Sequence, residues 1–195
     1  SRGLLRPGGT VVEPTSGNTG VGLAIACALK GYSCVFVMPD KMSREKQDVL
    51  RAYGADVVIT PTAVPPEHPD SYYQVANRLT AEIPGAYQPN QFQNPRNPAA
   101  HEASTGPEIW AQTEGKVTAF VAGMGTGGTI SGTARFLKSR KADLLVVGAD
   151  PEGSIYSGDN PRPYKLEGVG EDFIPGTIDL GLIDRMERVS DREAF

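Results

Sequence analysis

The sequence predicts an α/β protein with parallel strands. Short apolar strand patterns alternate with segments of helical periodicity along most of the 195 residues, as in repeated βαβ units. Two glycine-rich loops, TSGNTG at residues 15–20 and GMGTGGT at residues 123–129, lie where a strand pattern gives way to a helix pattern. Such loops direct backbone N–H groups toward an anion at the helix N-terminus. The two loops therefore predict a ligand with two anionic ends, such as a phosphate and a carboxylate.

The first half of the chain contains three predicted strands and three predicted helices. The strands are expected over residues 10–13, 34–38 and 56–59. The helices are expected over residues 18–29, 44–53 and 71–83. The second strand is a continuous apolar run, which is typical of a parallel strand buried on both faces. Ser43 is a suitable N-cap for the second helix, and Gly31 and Gly54 are suitable stops for the first two helices.

A polar stretch rich in Asn, Gln and Pro, residues 88–98, interrupts this alternation and predicts a crossing between two lobes. We expect a smaller, mobile lobe over residues 1–94 and part of a larger lobe over residues 95–195. The second lobe is predicted to contain helices over residues 99–113 and 129–138 and strands over residues 117–122 and 144–149. Residues 150–176 show no convincing element, and a loop of that length is usually functional or mobile.

The bulk properties are those of an ordinary globular protein. The net charge is −4 and no basic stripe occurs, which argues against a nucleic-acid partner. The longest apolar stretch, residues 21–29, is too short to cross a bilayer. The chain opens without a signal-peptide pattern, and its two cysteines form neither a disulfide framework nor a metal cluster. These features predict a cytoplasmic protein without a membrane, nucleic-acid or metal partner.

The second loop allows two interpretations. The pattern GxGxxG at residues 123–128 matches the dinucleotide-binding fingerprint, and Asp150 follows where a ribose partner would lie. That interpretation predicts a nicotinamide-dependent oxidoreductase, but it leaves the loop at residues 15–20 unexplained. The hydroxyl groups of Thr126 and Thr129 suit a terminal phosphate better than a bridging pyrophosphate.

The segment EPTSGNTGVG at residues 13–22 resembles the substrate-carboxylate loop of the fold-type-II pyridoxal-phosphate enzymes, the cystathionine β-synthase and cysteine synthase family. The segment GTGGT at residues 125–129 resembles the phosphate cup of that family. Further similar segments are VMP at 37–39, RAYGA at 51–55, NQFQNP at 90–95 and TGPEIW at 105–110. The resemblance implies a two-lobed fold like that of the tryptophan synthase β subunit. The segments at residues 148–154 and 167–175 resemble cystathionine β-synthases more than cysteine synthases.

The resemblance also implies roles for particular residues of the two loops. The carboxylate of the amino-acid substrate is expected at Thr15, Ser16, Gly17, Thr19 and Gln91. The cofactor is expected at Asn18, Gly125, Thr126, Gly127, Gly128, Thr129, Gly168 and Gly170. Within that set, Asn18 would contact the phenolic oxygen of pyridoxal phosphate, and residues 125–129 would hold its phosphate. Gln91 has the alternative interpretation of an ordinary turn residue.

The catalytic lysine of the family has no counterpart in this sequence. It precedes the carboxylate loop in the family, and no lysine precedes residue 15 here. We therefore expect the Schiff-base lysine upstream of Ser1 and the serine that faces the pyridine nitrogen beyond Phe195. This pattern predicts a chain that is incomplete at both ends, and it assigns no catalytic residue within it.

The implied reaction is β-replacement on serine with homocysteine, which gives cystathionine. The alternatives are a cysteine synthase that uses O-acetylserine and sulfide, and a catalytically inactive fragment without the lysine. The implied partners are small amino acids and further copies of the chain, in a homodimer or a higher homo-oligomer. His68 and His101 are too distant in sequence to indicate a metal pair, and His101 is predicted to be structural. Tyr156 and Tyr164 are predicted to pack at the surface, with contact to the substrate as the alternative.

Overall fold

The computed structural model describes residues 3–156, 158 and 160–195. The chain forms two compact units, Ser1–Asn90 and Gln91–Phe195. The division falls within the polar stretch in which the sequence predicts a crossing. Assignment of a mobile carboxylate lobe and a larger cofactor lobe to these units stays a prediction. None of the helices in the described part of the chain has the length and apolarity needed to span a bilayer.

The first unit is a three-stranded parallel sheet with helices in its connections. Its strands are β1 (Thr10–Pro14), β2 (Ser33–Pro39) and β3 (Asp56–Thr60), in the spatial order β1-β2-β3. Its helices are α1 (Asn18–Lys30), α2 (Arg44–Ala52) and α3 (Tyr72–Glu82). Every predicted element of this half is present, and each boundary differs from the prediction by at most one residue.

The central strand β2 is buried on both faces, which explains its continuous apolar sequence. Phe36 and Met38 pack in one cluster with Leu50 of α2, whereas Val37 packs in a second cluster with Val75 of α3. Side chains alternate between the faces of a strand, so helices on both sides of the sheet require apolar residues at consecutive positions.

The second unit contains a second three-stranded parallel sheet. Its strands are β4 (Ala119–Gly123), β5 (Leu145–Pro151) and β6 (Arg185–Val189), in the spatial order β4-β5-β6. Its helices are α4 (Arg96–Ala103), α5 (Thr105–Gln112), α6 (Gly128–Arg140), a 3-10 turn (Leu180–Leu182) and α7 (Asp191–Ala194). In α6, Ile130, Ala134 and Leu137 pack in one buried cluster with Val146 of β5.

The predicted single helix over residues 99–113 is wrong, because the structure has two helices that meet at Ser104. Pro107 has no N–H to donate to the carbonyl of Ala103, so the hydrogen-bond ladder is interrupted there. The hydroxyl of Ser104 donates to the carbonyl of Ala100 at 2.8 Å. The first of the two helices starts earlier than predicted, since Pro98 lies in its first turn, where a missing N–H costs little.

Strand β6 and helix α7 were not anticipated by the sequence patterns. The sequence of β6, RMERV, carries charges on both faces, which is common at the edge of a sheet but hides the period of two. Helix α7 is only four residues long, although its Ser190 and Glu193 form a capping box. Between β5 and the 3-10 turn, the described residues contain no helix or strand, which agrees with the long loop predicted there.

The core of the first unit supports the loop between β1 and α1 through Leu50. This side chain is fully buried, and its Cδ2 lies 3.1 Å from the position that a Cβ on Gly20 would occupy. We expect Leu50→Ala to lower the free energy of unfolding by about 2–5 kcal/mol because it leaves a cavity. Val49→Ala is the matched control, since Val49 is the exposed neighbour on the same helix. Urea unfolding followed by circular dichroism measures both changes, and equal losses would contradict the prediction.

Candidate functional site

The loop between β1 and α1 is organised by the side chain of Thr15, which is 1% exposed. Its Oγ1 accepts hydrogen bonds from the N–H groups of Gly17 at 3.0 Å and Gly20 at 3.2 Å. Its own N–H donates to the carbonyl of Val37 at 2.9 Å. The Thr15 hydroxyl therefore holds the turn in place and caps the start of α1.

The turn needs glycine at position 17, where φ is 127°. The alkyl stem of Lys46 packs over this glycine, with its Cδ 3.1 Å from the position that a Cβ would occupy. Asn18 is exposed, and Ser16 and Thr19 are partly exposed. The first turn of α1 has no acidic residue, so its N–H groups and neighbouring hydroxyls suit an anion.

A buried carboxylate lies directly before this loop. Glu13, at the end of β1, is fully buried, and its Oε2 accepts the N–H of Asn90 at 2.8 Å. Asn90 has a φ of 55°, and it is the last residue of the first unit. Gln91 begins the second unit, so its contact with a substrate carboxylate stays a prediction.

The loop between β4 and α6 is packed so tightly that its glycines cannot be replaced without displacement of neighbours. Gly127 has a φ of 76°, and a Cβ there would overlap Ile178. A Cβ on Gly128 would overlap the amide of Asn97, and one on Gly125 would lie 2.9 Å from the carbonyl oxygen of Gly168. The first turn of α6 also has no acidic residue.

Two side chains of α4 contact the threonine hydroxyls of this loop. Asn97 Nδ2 donates to Thr126 Oγ1 at 2.9 Å, and the same oxygen accepts the N–H of Gly128 at 3.4 Å. His101 Nε2 lies 3.1 Å from Thr129 Oγ1. The loop therefore presents hydroxyls with fixed positions beside a helix N-terminus. This cradle fits a phosphate, because its donors are neutral hydroxyl and backbone N–H groups. Its glycines also lie so close to their neighbours that no side chain could take their place.

Two more side chains hold the carbonyl groups of the same loop. Thr177 donates its hydroxyl to the carbonyl of Thr126 at 2.6 Å, and the hydroxyl of Tyr156 donates to the carbonyl of Gly125. Both bonds link the loop to residues far along the chain. The sequence interpretation did not assign Thr177, Tyr156, Asn97 or His101 to the site.

The prediction that Tyr156 packs at the surface is wrong, because this side chain is only 7% exposed. Burial raises the pKa of Tyr156, and the nearby carboxylate of Glu171 raises it further. Tyr156 therefore stays protonated and remains a donor to the loop. The N–H of Glu171 donates to Ser154 Oγ at 3.1 Å, so the chain after β5 folds back beside Tyr156.

The predicted glycines of the long loop lie against the cradle. The N–H of Gly170 donates to the carbonyl of Met124 at 2.6 Å. The carbonyl oxygen of Gly168 lies next to Gly125. The hydroxyl of Tyr164 lies 2.6 Å from the position that a Cβ on Gly170 would occupy. The structure thus brings Gly168 and Gly170 together with residues 125–129, as one surface of the second unit.

The potential metal ligands and thiols of the described residues form no separate centre. Within the described residues there is no group of three or more His, Cys, Asp or Glu placed to hold a metal ion. Cys27 and Cys34 are buried free thiols. Burial raises the pKa of both thiols, and that of Cys34 reaches about 11, so neither is a ready nucleophile.

Comparison with known proteins gives the family. The description "Pyridoxal-phosphate dependent enzyme" belongs to the protein family whose pattern matches residues 1–195. The chain belongs to this family. The resemblance drawn from its two glycine-rich loops is therefore confirmed, as is the predicted α/β class.

The similar proteins carry two different names. The chain is 49% identical over 199 residues to the cystathionine beta-synthase of Oryctolagus cuniculus, an alignment that covers 99% of this chain and 36% of that protein. It is 47% identical over 195 residues to the cysteine synthase of Staphylococcus aureus (strain Mu50 / ATCC 700699), covering 99% of this chain and 62% of that protein. The O-acetylserine dependent cystathionine beta-synthase from Helicobacter pylori has a crystal structure that superposes with a TM-score of 0.91 at 42% identity, covering 98% of this chain and 61% of that one. The chain thus spans less than two thirds of each.

The Thr15 hydroxyl provides a direct test of the first loop. We expect Thr15→Val to lower the free energy of unfolding by about 1–3 kcal/mol, because two N–H groups lose their buried acceptor. Amide exchange at Gly17 and Gly20 should accelerate in parallel. Thr15→Ser keeps the hydroxyl and should lose less than about 1 kcal/mol. Unchanged amide exchange in the valine variant would show that Oγ1 does not hold the turn.

Two glycine substitutions with opposite expected effects on the free energy of unfolding test how tightly the second loop is packed. Gly127→Ala should lower the free energy of unfolding by about 1–3 kcal/mol, since it combines a strained backbone with a clash against Ile178. Gly22→Ala, within α1 and facing open space, should raise it by about 0.5–1 kcal/mol. Urea unfolding compares the two variants, and a neutral Gly127→Ala would refute the tight packing of the cradle.

Proposed function

We propose that the whole protein is a pyridoxal-phosphate-dependent lyase that carries out β-replacement on serine. The observation that carries this proposal is the pair of helix N-termini without acidic residues, each at the end of a parallel strand and each bordered by hydroxyls. A cofactor phosphate and a substrate carboxylate are the two anions that this chemistry requires. Membership of the family supports the assignment.

The phosphate of the cofactor is assigned to the cradle at Gly125, Thr126, Gly127, Gly128 and Thr129. Its N–H groups and hydroxyls stabilise an anion by hydrogen bonding without burial of a second charge. Gly168 and Gly170 are assigned to close approach to the cofactor, because both already lie against the cradle. When bound, pyridoxal phosphate supplies an electron sink for the negative charge that develops at the substrate α-carbon.

The carboxylate of the substrate is assigned to the loop of Thr15, Ser16, Gly17 and Thr19, with Gln91 as a further donor. In this loop, the buried hydroxyl of Thr15 serves the turn itself. Binding therefore falls to the more exposed Ser16 and Thr19 and to the N–H groups of the first turn. Asn18 is exposed at the same turn, and we assign its amide to the phenolic oxygen of the cofactor.

Proton transfer is assigned to a lysine outside this chain. None of its seven lysines precedes the carboxylate loop. Lys46, whose stem covers Gly17, is assigned a packing role. In this proposal the residues of this chain bind and orient the substrate and cofactor. The homo-oligomer and the cytoplasmic location stay predictions.

The choice of substrates has two parts, the leaving group and the thiol. We favour serine and homocysteine, because the segments at residues 148–154 and 167–175 resemble cystathionine β-synthases. The second candidate is cysteine synthesis from O-acetylserine and sulfide. The similarity to the Staphylococcus aureus cysteine synthase supports this second candidate. The similarity to the Oryctolagus cuniculus cystathionine beta-synthase supports the first candidate only slightly more.

A two-by-two assay of the whole protein with pyridoxal phosphate separates these candidates. Serine or O-acetylserine is combined with homocysteine or sulfide, and each product is quantified by mass spectrometry. We expect cystathionine from serine and homocysteine, with kcat/KM at least tenfold above that of any other pair. Preferred cysteine formation from O-acetylserine and sulfide would establish the second candidate. A protein that binds the cofactor but turns over no pair would be the inactive alternative.

A further inference from the structure

Helix α4 carries a line of polar side chains that faces the phosphate cradle. Asn97 and His101 are four residues apart and so lie on one face of the helix. Each contacts a different threonine of the cradle, Thr126 and Thr129 respectively. Thr105, four residues beyond His101, lies 2.9 Å from the other ring nitrogen, Nδ1.

The proton arrangement at Asn97 is fixed by its second partner. The same Nδ2 that contacts Thr126 also donates to the carbonyl oxygen of Gln91 at 2.9 Å. A carbonyl can only accept, so this atom must be the amide nitrogen. Thr126 Oγ1 therefore accepts from Asn97, and its own hydrogen is left to donate elsewhere. For a cradle that binds an anion, this is the useful orientation.

The proton arrangement at His101 has two self-consistent forms. In one form, Thr105 donates to Nδ1, Nε2–H donates to Thr129, and the Thr129 hydroxyl keeps its hydrogen for a ligand. In the other, Thr129 donates to Nε2 and Nδ1–H donates to Thr105, so the cradle loses a donor. Burial lowers the pKa of His101, which favours the neutral ring. The tautomer of this neutral ring then decides whether the Thr129 hydroxyl keeps its hydrogen for a ligand.

We infer that His101, held by Thr105, carries its proton on Nε2 and thereby directs the hydroxyl hydrogen of Thr129 toward the phosphate of the cofactor. This inference rests on the proposed function, since it takes the cradle as the phosphate site. His101 is a positioning residue in this role, because it acts on the phosphate only through Thr129. Helix α4 thus sets the hydrogen directions of both cradle threonines.

The first test compares two ligands that differ only in the phosphate. Dissociation constants of pyridoxal phosphate and pyridoxal are measured by fluorescence with the whole protein. We expect His101→Ala to raise the dissociation constant of pyridoxal phosphate about tenfold or more, which corresponds to one hydrogen bond to a charged group. The dissociation constant of pyridoxal should rise less than twofold. His101→Gln should restore most of the loss, because its amide can donate to Thr129. Glu102→Gln, next on the same helix and paired with Arg135, is the control and should change neither.

A double-mutant cycle tests the route through Thr129. In a Thr129→Val background, His101→Ala should cause no further loss of affinity for pyridoxal phosphate. The ¹⁵N resonances of His101 give a readout that does not depend on activity, and with pyridoxal phosphate bound they should show a protonated Nε2 and an unprotonated Nδ1. In Thr105→Val the ¹⁵N resonance of Nδ1 should shift, because this nitrogen loses its hydroxyl partner.

Three results would overturn the inference while leaving the proposed function intact. The first is an unprotonated Nε2 in the complex with pyridoxal phosphate. The second is an equal loss of affinity for pyridoxal phosphate and pyridoxal in His101→Ala. The third is full additivity of the His101→Ala and Thr129→Val effects on affinity. Failure of the unmodified protein to bind pyridoxal phosphate would overturn the proposed function, and the inference with it. The two failures are therefore distinguishable from one set of titrations.

Discussion

The structure depends on one constraint of helix geometry. The first N–H groups of an α-helix have no partner within the helix, so each strand-to-helix loop must either pair them or expose them. Both glycine-rich loops use a threonine hydroxyl to accept the N–H of the residue two positions later, Thr15 for Gly17 and Thr126 for Gly128. Neither first turn carries an acidic residue, and we propose that each receives an anion.

The two threonines differ in burial, and this difference separates their roles. Thr15 is buried and accepts a second N–H, from Gly20, so its hydroxyl is occupied within the loop. Thr126 is partly exposed and receives an amide from outside the loop, which leaves its hydrogen for a ligand. A similar motif thus supports the turn in the first unit, and we propose that it binds the cofactor phosphate in the second. Neither loop needs a buried positive charge, whose desolvation would be costly.

The sequence predicts the local part of this design well. Glycine spacing and strand patterns identify both loops and most of the flanking elements, because turns and helix starts depend on neighbouring residues. The sequence does not predict which residues support the second loop. His101 and Thr129 are 28 residues apart, and Tyr156 meets Gly125 across 31 residues. Such contacts follow from tertiary packing. A polar line at residues 97, 101 and 105, spaced by four, was the available signal, although the break at Ser104 hides it.

Similarity to the family does not select between the two named reactions. The identities to the two relatives are similar, 49% and 47%, and in our proposal both named reactions need the same phosphate and carboxylate sites. The two segments that resemble cystathionine β-synthases, residues 148–154 and 167–175, lie together in the structure. The N–H of Glu171 donates to Ser154 Oγ, and the N–H of Gly170 donates to the carbonyl of Met124 in the cradle. Tyr156 joins the same surface through Gly125. A change in either segment therefore alters one common surface, which adjoins the cradle and includes Gly168 and Gly170, and we propose that the reaction partner is distinguished there.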